Sequence, residues 1–138
     1  MPWIGFALIS AVAASATAIL AKLGVAGVPS ILATAIRTVV IGAFAWAMVW
    51  GFNEQRLLPS LSRRTLVFLV LSGLTTGISW LAYFRALQLA PVSWVAPIDK
   101  LSLPFTIIIA AVVLGEAISW RMVAGVALMV IGALMTRA

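Results

Sequence analysis

The sequence predicts an all-α fold, a polytopic membrane bundle of five transmembrane helices. Three observations lead there. Hydrophobic residues make up 64% of the chain and charged residues only 9%, against about 25% charged in an average soluble domain. The mean hydropathy is +1.22. The apolar residues also fall into five runs close to the ~20 residues a helix needs to cross a bilayer, separated by short polar or proline- and glycine-containing punctuation.

The first run covers residues 3–23, starting at Trp3. Small residues such as Ala11, Ala13 and Ala16 resemble a leader cleavage site. However, no Lys or Arg precedes the run and it exceeds a typical leader core, so it reads as a span. Residues 24–29 form a turn, and the second run follows at 31–50. A polar loop at 51–64 holds Asn53, Glu54, Gln55, Arg56, Arg63 and Arg64. The third run is 66–89, Pro91 punctuates, and the fourth run is 92–114. After residues 115–121 the fifth run is 122–135. No polar stretch is large enough for a soluble domain, so residues 1–138 read as one domain.

A net charge of +6 would suggest nucleic acid in a soluble protein, but these basic residues lie within or at the ends of apolar runs and form no patch. Nucleic acid is therefore not an expected partner; the bilayer is. Cysteine and histidine are absent. That excludes disulfides, thiol chemistry and metal ligation through either residue. Serine has no histidine to activate it. No enzyme activity, metal or cofactor is expected.

Five crossings put the termini on opposite faces. The N-terminal face then carries Arg56, Arg63, Arg64 and Arg121, and the C-terminal face Lys22, Arg85 and Arg137. An excess of one basic residue gives the positive-inside rule little to act on. Insertion with the N-terminal face in the cytoplasm and insertion both ways are both open. Trp3, Trp46, Trp50 and Trp120 gather near the N-terminal face as an interfacial belt would. Small residues recur every four positions at Ser10, Ala14 and Ala18 and at Gly73 and Gly77, a spacing that permits close helix packing.

Charge inside the runs is the strongest signal. Lys22, Arg37, Arg85, Asp99 and Lys100 come from four runs and all lie in the half of the membrane nearer the C-terminal face. Lys22 and Arg85 are close enough to a run end to snorkel. Arg37, Asp99 and Lys100 are deeper, where a charge costs roughly 2.5–3.5 kcal/mol on the translocon scale. Neighbours on a helix point about 100° apart, so Asp99 and Lys100 are expected to face apart and Asp99 to pair with Arg37. Pro97 and Pro104 flank the acid and base and mark a helix break, freeing the carbonyls of Ser93 and Lys100. Trp80 and Tyr83 are candidate cavity-lining aromatics. Glu116 is expected to pair with Arg121 at the membrane edge.

The run Tyr83-Phe84-Arg85-Ala86-Leu87, the fourth segment closing on Leu114-Gly115-Glu116, and the final Gly125-Val126-Ala127-Leu128 with Ile131-Gly132 resemble an EamA domain of the drug/metabolite transporter superfamily. Val95 through Ser102, Lys22-Leu23-Gly24 and Ala33 through Thr38 resemble its half-size, five-helix bacterial and archaeal branch. The resemblance implies two five-helix repeats of opposite orientation around a central path. One chain supplies a single repeat, so it implies an antiparallel homodimer of dual topology in the inner (plasma) membrane. The Asp99-Lys100 pair departs from the pattern of full-length members, so their substrates are not carried over.

The expected function is alternating-access transport of small metabolites. Basic residues around the lone buried acid favour anionic or zwitterionic solutes over lipophilic cations. Expected substrate-binding residues are Arg37, Arg85, Asp99, Lys100, Trp80 and Tyr83. The alternative is a non-transporting structural subunit of a larger membrane complex.

Overall fold

The computed structural model describes residues 2–136; Arg137, assigned above to the C-terminal face, lies outside them. Helix α1 spans Pro2–Gly24 and α2 spans Ser30–Gly51. A 3-10 segment, Glu54–Ser60, leads to α3, Arg63–Leu89. The fourth apolar run divides into α4, Val92–Asp99, then α5, Ser102–Ile109, then a π segment, Ala110–Leu114. Helix α6 is Trp120–Met135. The described residues contain no strand, and the chain is the all-α membrane protein its composition predicts. Four stretches are long and apolar enough to cross a membrane, and α6 is a shorter apolar helix. Its 16 residues rise about 24 Å, somewhat short of the ~30 Å hydrocarbon layer.

Local chemistry sets the helix limits. The Ser62 hydroxyl accepts the Thr65 N–H at 3.0 Å, and the Ser119 hydroxyl accepts that of Met122 at 3.2 Å. Each satisfies one orphan donor at a helix start. Gly115, at φ +70°, turns the chain out of the π segment in a left-handed conformation that glycine adopts without strain. Residues 115–119 are then non-helical. Glu116 and Arg121, at either end of that stretch, form no ion pair among the described residues, contrary to expectation; the intervening chain is unwound and does not hold them on one helical face.

The chain packs as two units, residues 20–88 and residues 1–19 with 89–138. In the first, Ala21, Val25, Thr34, Phe84 and Leu87 are buried, and Phe84 and Leu87 are 0% exposed. Residues three or four apart share a helix face. Ala21 and Val25 are thus one stripe, and Phe84 and Leu87 another. In the second unit, α4 and α5 pack against α6, where Ala133 is buried. Most large apolar side chains, Phe6, Val39, Leu69 and Val112 among them, are exposed. Lipid tails solvate such surfaces as well as a protein core does, so no larger core is required.

Hydroxyls inside the spans bond to their own helix. Ser15, Thr34, Thr38, Thr76 and Thr106 donate to the carbonyls of Ala11, Ser30, Thr34, Ser72 and Ser102, four residues back, at 2.8–2.9 Å. This satisfies a polar group in an apolar setting without a neighbour. The glycine stripe at Gly73 and Gly77 is open: a Cβ at either would meet nothing within 4 Å.

Candidate functional site

The unit of residues 1–19 and 89–138 holds the break in the fourth run. Pro97 has no N–H for the carbonyl of Ser93, and α4 stops two residues later at Asp99. Lys100 and Leu101 adopt φ, ψ of −71°, −7° and −62°, −12°. Their N–H groups donate to Pro97 and Ile98 at 3.1 and 3.0 Å, the tight three-residue pattern of a 3-10 turn. Pro104 falls in the first turn of α5, where an N–H would lack a helical partner in any case. The Lys100 carbonyl, expected to be free, accepts the Leu103 N–H at 3.0 Å.

This turn changes how the acid and base face. The Lys100 ammonium lies 3.3 Å from the Asp99 carboxylate. Adjacent residues point apart only while a helix continues between them, and here it ends between them. The expectation that Asp99 and Lys100 face apart is therefore overturned, and Asp99 takes its chain neighbour as a partner. The side chains of Lys100 and Asp99 are 57% and 37% exposed, so the ion pair is open on one side. It sits beside a cavity of about 250 Å³ lined by Pro97, Lys100, Pro104, Met129, Gly132 and Thr136. Asp99 is the eighth residue of α4, about 10 Å in from the start of the span.

The unit of residues 20–88 holds the other sequence-predicted residues. The Arg37 guanidinium lies 5.0 Å from the centre of the Trp80 ring and 4.7 Å from that of Phe84. Trp80 and Phe84 are one helical turn apart on α3, so their rings form a double seat for a flat cation. The Tyr83 ring lies tilted against Phe84 with centroids 6.2 Å apart. The Arg85 guanidinium donates to Gln88 Oε1 at 3.1 Å.

Sequence reasoning missed Gln88. Its amide donates to the carbonyl of Val28 at 2.6 Å and reaches that of Val25 at 3.5 Å. Lys22 donates to the Leu87 carbonyl. Together they clasp the α1–α2 turn to the end of α3, with Gly27 at φ +74° within the turn. The available signal was a lone amide in an apolar run, three residues after an arginine.

Charged groups at a helix break within a membrane span are the kind of feature that marks a transport path. Residues 1–138 match the EamA-like transporter family. The chain belongs to that family. A relative from Sinorhizobium sp, described as "Uncharacterized transporter in cobO 3'region", is 46% identical over 133 residues, covering 96% of this chain and 94% of the relative. No solved structure is significantly similar to the chain. EamA membership agrees with the motifs that suggested it, and it places the protein with transporters rather than enzymes.

Proposed function

We propose that the protein is a secondary transporter of small anionic or zwitterionic solutes, working in the inner membrane as an antiparallel homodimer by alternating access. The observation that carries this reading is the break at residues 99–101, which sets an exposed ion pair beside a cavity within a span. Lys100 attracts the anionic group of the solute. Asp99 orders the ammonium, and it receives a substrate ammonium where there is one. Pro97 and Pro104 keep the break from healing into a continuous helix. Arg37, seated on Trp80 and near Tyr83, is a second anion contact in its own unit, through the edge the rings leave uncovered.

The homodimer rests on length. The 138 residues supply one five-helix repeat, and the relative, 94% of which is covered, is of similar length. The chain contains no cysteine, so a cysteine placed near either terminus reports topology through labelling from outside. Partial labelling at both ends is the expected result, and all-or-none labelling would refute the dual orientation.

The transport reading is tested in proteoliposomes with a panel of carboxylates, phosphate esters, amino-carboxylates and quaternary ammonium solutes. Flux is expected for anionic or zwitterionic members and should fall at least tenfold in Lys100→Ala and Asp99→Asn, with membrane insertion unchanged. Full flux in both variants, or flux confined to the cations, would remove the assignment.

A further inference from the structure

A second cavity, of about 460 Å³, lies wholly within the unit of residues 20–88, at the α1–α2 turn and the end of α3. Its lining includes Lys22, Val25, Val28, Arg85, Leu87 and Gln88. Two of these are cationic, and no acidic residue lines the cavity. Arg85 belongs to no ion pair among the described residues and gives one guanidinium N–H to Gln88. A guanidinium carries five N–H donors in a fixed fork suited to phosphate oxygens.

The cavity's depth bears on its ligand. It forms where α1 ends at Gly24, α2 begins at Ser30 and α3 ends at Leu89. In a chain that spans the bilayer, helix ends lie near the headgroup layer. Val25, Val28 and Leu87 give it apolar wall beside the charge. Basic pockets among helix ends are suited to anionic headgroups.

We propose that this cavity is a phosphate-binding site, with Arg85 as the principal contact and Lys22 adding charge from the facing helix end. The phosphate comes either from an anionic phospholipid headgroup or from a soluble phosphate. Gln88 is a positioning residue: it holds Arg85 on one side and the α1–α2 turn on the other, so the walls and the guanidinium stay in register. The cavity shares no lining residue with the one beside the Asp99–Lys100 break, and the proposal does not depend on the transport reading.

The test uses the full chain, purified in a neutral detergent. Thermal stability is measured with added phosphatidylglycerol, with phosphatidylcholine, and with inorganic phosphate at matched concentration. Stabilisation by phosphatidylglycerol alone assigns the site to lipid; stabilisation by inorganic phosphate assigns it to a soluble phosphate. In either case Arg85→Gln should weaken the apparent affinity about tenfold, the loss of a charge-assisted contact, and Arg85→Lys should restore part of it. Arg64→Gln, on the opposite membrane face, should leave the affinity unchanged. Equal stabilisation by phosphatidylcholine and phosphatidylglycerol with no response to phosphate, or an equal loss in Arg64→Gln, would overturn the proposal. Native mass spectrometry of the unsubstituted chain gives a readout independent of any variant: phosphatidylglycerol or phosphate should be retained in preference to phosphatidylcholine, and absence of any preference refutes the site.

Discussion

The two packing units differ in how they handle charge. In residues 20–88, Arg37 lies over two aromatic rings and Lys22 donates to a backbone carbonyl, close to the buried Phe84 and Leu87. In residues 1–19 with 89–138, the ion pair is exposed, only Ala133 is buried among the described residues, and the helix is broken. The first unit uses Arg37 and Lys22 to hold helices together. The other leaves its charge open next to a cavity. The difference teaches that an intramembrane charge is no single kind of signal, because its neighbours decide whether it works as a fastener or as a receptor.

The sharpest way to break that contrast is Phe84→Ala. Truncating a fully buried phenylalanine costs about 3–5 kcal/mol, and here it also removes half of the seat under Arg37. The variant should show the lowest melting temperature of the set in detergent, followed by circular dichroism. A loss under about 1 kcal/mol would mean that residues 20–88 are not the scaffold. Arg37→Gln comes next. It removes a cation from two ring faces, a contact worth roughly 0.5–2 kcal/mol, and the same melt should register it.

Gly115→Ala should destabilise by about 1–2 kcal/mol, the cost of a Cβ in a left-handed conformation. Lys100→Ala, by contrast, should melt within about 1 kcal/mol of the unsubstituted chain, since an exposed ion pair contributes little. Its effect belongs in the flux assay. The smallest change is expected for Gly73→Ala, where the new methyl meets nothing and helix propensity gains about 0.5–1 kcal/mol. Destabilisation there would show that the glycine face is covered by another copy in the assembled protein.

How far these features were legible from sequence depends on their range. The helical class follows from hydropathy and run length, because the bilayer permits few alternatives to a helix. The break at Pro97 was legible for the same local reason. The pairing of Asp99 with Lys100 was not, because the 100° rule assumes the helix that the two prolines interrupt. The seat for Arg37 could have been read from Trp80 and Phe84 at four-residue spacing, but not which cation would fill it. Gln88 was beyond reach: its carbonyl partners lie about sixty residues earlier in the chain, and only folding brings that turn to the end of α3.

The hydroxyls bonded along their own helices carry a mechanical consequence. Thr34, Thr38, Thr76 and Thr106 bond only along their own helices in the hydrogen bonds described, so they do not stitch one helix to another. Shear between packed helices is one of the common modes of conformational change. A helix sliding past its neighbour here breaks none of these bonds, and the threonines travel with it as though they were valines.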